Sequence, residues 1–174
     1  MTWLLVLQVL VAVPAPGATN PAITARTQAQ TICAPSGWTT KVIRPPTSYT
    51  TRLKRQQLDA LGYTVWNPLP SVPTKSGRSV RPDIRYCIPR SANVACYELD
   101  HQIPLTLGGH PSDVRNLWPQ PIAEALQKDR LEQTLHRRVC AGQVSLTEAQ
   151  RAISTDWRSA YRRFLGTDPK VGLR

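Results

Sequence analysis

Hydrophobic and polar residues alternate along residues 97–100, and this pattern predicts a short β-strand. Pro104 limits how far that strand can continue, because proline donates no backbone hydrogen bond. Gly108 and Gly109 are typical of a turn, and a second short strand is predicted at residues 116–118. The chain is therefore expected to return after the turn and to form two short strands joined by a loop.

Apolar residues at helical spacing predict three helices, at about residues 51–61, 121–139 and 146–164. Gly62 follows the first helix at the position where a helix-ending residue is expected. Pro121 suits the first position of the second helix. Ser145 and Glu148 form a capping-box pattern at the start of the third helix. The two strands thus lie between predicted helices along the chain.

The segment at residues 3–13 is apolar but too short to span a bilayer. Small residues and proline follow it, so residues 1–18 are predicted to form a secretory signal peptide, although no Lys or Arg precedes the apolar run. Cleavage is expected after Gly17 or Ala18, and a later boundary near Ala29 stays open. No later segment is apolar enough to cross a membrane.

One domain is predicted at residues 30–166. Residues 19–30, before it, are polar and are expected to be flexible, as is a tail at residues 167–174. Residues 67–90 are rich in proline, serine and arginine and have no hydrophobic period, so they are predicted to form a long loop.

The chain has 174 residues and a formal net charge of +11, from 22 Lys and Arg against 11 Asp and Glu. This balance favours polyanionic partners, nucleic acid first and an anionic membrane surface second. A solvated cationic surface with no such partner is the alternative.

The four cysteines are an even number, which is typical of an exported protein with two disulfides. Cys87 and Cys96 bracket a short segment and are expected to pair locally, which leaves Cys33 to pair with Cys140. A zinc site is the rival interpretation, but the Cys and His spacing fits no familiar paired-cysteine finger. The sequence therefore indicates a secreted or cell-envelope protein.

Four short motifs surround the predicted strands, and they are Asp100-His101-Gln102-Ile103-Pro104-Leu105, Gly108-Gly109, Asn116-Leu117-Trp118-Pro119 and Lys128-Asp129-Arg130-Leu131-Glu132. In this order and spacing they resemble the HNH endonucleases of the His-Me finger superfamily, in particular small secreted bacterial members. The resemblance covers about residues 97–142. It implies an α+β fold with a ββα-metal (His-Me finger) core at about residues 95–140, flanking helices and long basic loops.

The resemblance also implies a metal-dependent endonuclease that hydrolyses DNA with little sequence specificity. His101 would be the general base, because an imidazole can accept a proton from water near neutral pH. Asp100 would bind the cation, Mg²⁺ or Mn²⁺ rather than Zn²⁺. Asn116 would fix the loop that carries the catalytic histidine. Relatives commonly place an asparagine ligand at the position of Glu124, so Glu124 is the candidate second metal ligand.

Contacts to nucleic acid are expected from basic residues of the long loop, the turn and the second helix, namely Arg85, Arg90, Arg115, Lys128, Arg137 and Arg138. Two alternatives stay open. One is a nucleic-acid-binding protein that has lost catalysis because Glu124 replaces the usual residue. The other is a basic, disulfide-stapled interaction module with no nucleic-acid role.

Overall fold

The computed structural model describes residues 16–35, 40–73, 80–87 and 93–170. Within these ranges the fold is α+β. The helices are α1 (Thr47–Asp59), α2 (Ile122–Cys140) and α3 (Leu146–Leu165), and the strands are β1 (Ser71–Pro73), β2 (Val80–Pro82), β3 (Tyr97–His101) and β4 (Leu117–Pro121). The predicted apolar leader, Arg90 and residues 171–174 of the predicted tail lie outside the described residues.

Strands β3 and β4 form an antiparallel pair in which Tyr97 lies opposite Pro121 and His101 lies opposite Leu117. The two predicted strands are therefore confirmed. The placement of Asn116 on the second strand is wrong, because Asn116 ends a 3₁₀ turn directly before β4. The Asp113 carboxylate accepts a hydrogen bond from the Arg115 backbone N–H at 2.8 Å. This cap holds the turn, so the strand begins only after Asn116.

The three predicted helices are confirmed; α1 and α2 begin at other residues than predicted, and α3 begins at residue 146 as predicted. Helix α1 begins before the predicted start at residue 51, because Pro46 has an extended backbone and occupies the N-cap. Pro121 is likewise the N-cap of α2 rather than its first residue. At the start of α3, the Ser145 hydroxyl accepts a hydrogen bond from the Glu148 N–H at 3.1 Å, as the capping box predicts.

The prediction of an unbroken loop at residues 67–90 is wrong. Within that range β1 and β2 pair in antiparallel fashion, with Ser71 opposite Pro82 and Pro73 opposite Val80. Each strand is short and ends in proline, so the pair has no hydrophobic alternation from which it could be predicted.

The main core lies between α2, α3 and the loop after β3. It consists of buried residues from these elements and from the N-terminal segment: Ile23, Ile32, Ile103, Leu107, Leu131, Leu135, Val139, Leu146, Ala149, Ile153, Trp157, Ala160, Tyr161 and Phe164. A smaller core lies under α1 and β3 and consists of Leu58, Cys87, Val94, Cys96 and Tyr97. Helices α1 and α2 both contact strands β3 and β4.

Both predicted disulfides are confirmed. Cys87 is bonded to Cys96 within the smaller core, and Cys33 is bonded to Cys140 at the end of α2. Closing the longer loop restricts the unfolded chain and is worth about 4–5 kcal/mol by chain entropy. Among the described helices, none is both long enough and apolar enough to cross a membrane.

The N-terminal segment, residues 16–35, is not the free polar chain that the sequence indicates at residues 19–30. Ile23 is 6% exposed and belongs to the main core. The Asn20 N–H donates to the Gly108 carbonyl at 2.8 Å, and the His110 N–H donates to the Ala18 carbonyl at 2.8 Å. This segment therefore packs along the loop between β3 and β4 and adds an apolar side chain beneath it.

This packing gives a graded prediction for chains that begin at different residues of the N-terminal segment. A chain that begins at Gln30 should unfold more easily than one that begins at Pro16, because it lacks Ile23, whose burial is worth about 1.5–3 kcal/mol, and the backbone hydrogen bonds to the loop. A chain that begins at Thr19 keeps Ile23 and should lose less. Urea unfolding of the three purified chains measures the order. Equal stability of the Pro16 and Gln30 chains would contradict the packing role.

Candidate active site

The end of β3 opens into a pocket of about 520 Å³. Its other walls are α1, the residues just before α1, the loop after β3 and one side of α2. The lining includes seven charged or imidazole side chains: Arg44, Lys54, Glu98, Asp100, His101, Asp129 and Glu132. The structure thus brings the predicted pair Asp100 and His101 together with acidic residues of α2 and with basic residues that precede or belong to α1.

The imidazole of His101 has a fixed orientation. Its Nε2 lies 2.9 Å from the Pro111 carbonyl oxygen, and the His101 carbonyl accepts a hydrogen bond from the Lys128 ammonium at 2.7 Å. A carbonyl can only accept, so Nε2 carries the proton when the ring is neutral. The other ring nitrogen, Nδ1, then keeps its lone pair, and no described residue hydrogen-bonds to it. His101 is therefore arranged to accept a proton at Nδ1.

Burial lowers the pKa of His101 below its ordinary value. The hydrogen bond to Pro111 and the charge of Asp100 oppose this shift, while Lys128 adds to it. The ring is accordingly neutral near pH 7, which is the form that a general base requires.

Asn116 is fully buried and holds the loop between β3 and β4. Its Oδ1 accepts from the Ile103 N–H at 2.8 Å, and its Nδ2 donates to the carbonyls of Ile103 and His110, each at 3.0 Å. Ala18 of the N-terminal segment also donates its N–H to Oδ1, at 3.3 Å. Pro111, whose carbonyl orients His101, directly follows His110. By holding His110, Asn116 therefore helps to position the imidazole of His101.

Gly109 lies against the same asparagine. A Cβ atom at this position would come within 1.8 Å of the Ile103 carbonyl oxygen and 2.8 Å of Asn116 Nδ2. Neither contact is sterically possible, so only glycine allows the loop to close around Asn116.

Lys128 does not occupy the surface position that a phosphate contact requires. Its side chain is 0% exposed, and its ammonium donates to Asp100 Oδ2 at 2.8 Å and to Glu132 Oε1 at 2.6 Å. Burial alone lowers the pKa of Lys128, but the two carboxylates outweigh burial and the net shift is upward. The residue is thus a charged link between α2 and the end of β3, and the prediction that it binds nucleic acid is corrected.

Negative charge is concentrated around this ammonium. Desolvation and then the charge of Asp100 raise the pKa of Glu98 to about 7, although Glu98 is exposed to solvent, which weakens the desolvation. Burial raises the pKa of Glu132 against the opposing charge of Lys128, and burial followed by Asp100 raises the pKa of Asp129. More carboxylates therefore lie near Lys128 than the two with which it forms ion pairs.

Glu124 does not converge on Asp100 as predicted. Its carboxylate forms an ion pair with Arg158 of α3 at 2.6 Å, and it is not part of the pocket lining. The β3–β4 register explains this, because Tyr97 lies opposite Pro121 and so the start of α2 is at the far end of β3 from Asp100. One helical turn later, about 5.4 Å along the axis, Lys128 reaches Asp100 instead. Asp129 and Glu132 are the α2 residues that line the pocket.

The remaining basic residues predicted to bind nucleic acid occupy different surroundings. Arg85 and Arg115 are exposed, but each is paired with an aspartate two residues earlier, Asp83 or Asp113. Arg137 is exposed on α2, whereas the partly buried Arg138 donates to the Phe164 carbonyl. Arg90 lies outside the described residues. None of the four described arginines lines the pocket.

The basic residues that do line it, Arg44 and Lys54, were not predicted as site residues. Arg44 is exposed beside the 3₁₀ turn before α1, and Lys54 is half-buried on α1. Both residues lie outside the four motifs around the predicted strands, so no motif linked them to Asp100 and His101.

Cys33, His136 and Cys140 also lie close together, with potential ligand atoms within 4.8 Å of one another. The two sulfurs are bonded to each other, and His136 Nε2 lies 2.8 Å from the Ile32 carbonyl. A disulfide offers no thiolate, so this cluster is a structural staple rather than a zinc site.

No model of a known protein family, no curated protein and no solved structure matches this chain.

The role of Lys128 as an internal link can be tested by removing its charge. Lys128→Met keeps the length of the side chain but leaves Asp100, Glu132 and the His101 carbonyl without their shared donor. Breaking a buried charge pair in this way costs about 3–5 kcal/mol, so the free energy of unfolding in urea should fall by that amount. The matched change at an exposed position, Lys170→Met, should leave it unchanged. A Lys128→Met protein as stable as the parent would show that the ammonium does not link α2 to β3.

Proposed function

We propose that this protein is a secreted, metal-dependent endonuclease of the HNH type, in which β3, β4 and α2 form the ββα-metal core. The observation that carries the proposal is His101: it ends β3, its Nε2 is engaged by the Pro111 carbonyl, and Nδ1 is left to accept a proton beside Asp100. Two disulfides, both at the positions expected for an exported chain, support secretion.

The residues of the pocket fit a hard divalent cation. Asp100 Oδ2 is engaged by Lys128, while no described residue donates to Oδ1, and Asp129 lines the same pocket. Burial is the first cause of the raised pKa values of Glu98 and Asp129 and the charge of Asp100 is the second, and a cation would offset the repulsion from Asp100. Oxygen donors favour Mg²⁺ or Mn²⁺ over zinc. Asp100 would hold the ion with Asp129, and Glu124 has no part in it.

The bound cation would stabilise the negative charge that develops on the scissile phosphate and on the leaving oxygen. His101 Nδ1 removes the proton from the attacking water. Lys128, which is buried beneath the pocket lining, keeps Asp100 and the His101 backbone in place and does not contact the substrate. Arg44 and Lys54, on the opposite wall, contact the non-bridging phosphate oxygens.

The polyanion that best suits this surface is DNA. The net charge of +11 favours a nucleic-acid backbone, and the pocket's basic side chains contact phosphate, which carries no sequence information. Cleavage with little sequence preference follows from contacts of this kind.

One observation favours a second candidate, a nucleic-acid-binding protein without catalysis. The helix position at which relatives commonly place a metal ligand holds Glu124, and Glu124 is paired with Arg158 outside the pocket. In that case the protein would bind DNA but would not cut it with any divalent cation.

The same substitution at two histidines tests the proposal. The purified parent should cleave plasmid and linear DNA with Mg²⁺ or Mn²⁺ and should be inactive with a chelator. His101→Gln can still donate to Pro111 but cannot serve as the base, so cleavage should slow by about 10²- to 10⁴-fold. His136→Gln alters a histidine bonded to Ile32, away from the pocket, and should cleave at the parent's rate.

Two results would contradict this function. A His101→Gln protein that cuts as fast as His136→Gln would remove His101 from the reaction. Parent protein that binds DNA but never cleaves it, with either cation, would favour the binding protein without catalysis.

A further inference from the structure

Trp66 is exposed beside two cationic side chains of α1. Its side chain is 48% exposed, which is unusual for the largest apolar residue. The Lys54 ammonium lies 5.3 Å from the centre of its ring, and the Arg55 guanidinium carbon lies 5.9 Å from it. Both distances are within the range of cation–π attraction, so the indole and the two cations form one surface.

The backbone on both sides of Trp66 is tied to the segment beside the Cys87–Cys96 disulfide. The Val94 N–H donates to the Val65 carbonyl at 2.9 Å. The Asn67 N–H donates to the Asn93 side-chain oxygen at 3.1 Å, and the Asn93 amide donates to the Asn67 carbonyl at 2.9 Å. These hydrogen bonds fix the backbone on both sides of Trp66, and its ring faces solvent without packing into either core.

Lys54 connects this surface to the pocket. Lys54 lines the pocket with Asp100 and His101 and donates to the Tyr97 carbonyl at 2.9 Å. The same ammonium lies 5.3 Å from the centre of the Trp66 ring. A single side chain thus borders both the indole and the site where a phosphate would be cut. A ligand that places a phosphate near Lys54 can also reach Trp66.

A ligand for this surface needs a flat aromatic group and a nearby negative charge. A nucleotide has both, because its base can stack on the indole while its phosphate contacts Lys54 or Arg55. Bases within a duplex are already stacked on their neighbours, so an open indole face is available only to an unpaired base. The combination of exposed aromatic ring and cations therefore favours single-stranded over double-stranded nucleic acid.

We propose that Trp66, with Lys54 and Arg55, is a stacking site for an unpaired nucleobase next to the pocket, and that the protein prefers single-stranded substrate for this reason. The inference rests on the proposed nuclease function for the identity of the ligand. Its binding component is measurable without any cleavage.

The test compares two replacements of the same ring. Trp66→Phe keeps an aromatic face, whereas Trp66→Leu keeps apolar bulk without one. Both are made in the His101→Gln background, so that oligonucleotides are not cut, and affinities for a labelled single strand and for its duplex are measured by fluorescence anisotropy at one salt concentration. Leu126→Ala removes an exposed apolar side chain from α2 and serves as the control.

Trp66→Leu should weaken binding of the single strand by about 5- to 150-fold, the worth of one base–aromatic stack. Trp66→Phe should retain most of the affinity, and duplex affinity should change little in either variant. Leu126→Ala should match the background for both ligands. Thermal unfolding confirms that the variants are folded, which is expected because Trp66 belongs to neither core.

The outcomes separate this inference from the nuclease proposal. If the parent cuts no DNA but Trp66→Leu selectively loses the single strand, the stacking site stands and the nuclease function fails. If the parent cuts DNA but Trp66→Leu binds the single strand as tightly as Trp66→Phe, the stacking site is overturned and the nuclease function is untouched. Equal losses for single strand and duplex would also overturn it.

Discussion

The ammonium of Lys128 joins helix α2 to the end of strand β3 that carries Asp100 and His101. It is fully buried and donates to Asp100, to Glu132 and to the His101 carbonyl. A buried charge is tolerated only when its partners are well placed, so this contact fixes the distance between strand and helix. The pocket exists because the link holds Asp100 and His101 at its edge while Asp129, the next residue of α2, faces into it.

A second set of contacts, in the loop between β3 and β4, fixes the imidazole of His101. Asn116 bonds to the backbone of Ile103 and His110, and the neighbouring Pro111 carbonyl engages His101 Nε2. Gly109 permits this closure because any Cβ there would collide with Ile103. The N-terminal segment adds a hydrogen bond from Ala18 to Asn116. The orientation of His101 is thus determined by groups that never reach the pocket, which is the arrangement that a positioned general base needs.

Much of the fold could be predicted from local patterns, namely the strands β3 and β4, the three helices and both disulfides. The sequence did not predict that Asp100 pairs with Lys128 rather than meeting Glu124. Glu124 and Lys128 are four residues apart on the same face of α2, and only the strand register decides which of them meets Asp100. Ile23 and Ile32 are isolated apolar residues in a polar stretch, so no period revealed that they enter the core. Arg44 and Lys54 reach the pocket only through the tertiary packing of α1.

The most direct test of the account is to locate the divalent cation. Binding of Mn²⁺ is followed by electron paramagnetic resonance for the parent, Asp100→Asn and Glu124→Gln, which make the same carboxylate-to-amide change at two places. The account predicts that Asp100→Asn weakens Mn²⁺ binding by at least about tenfold, while Glu124→Gln binds like the parent. Loss of binding in Glu124→Gln together with full binding in Asp100→Asn would contradict it.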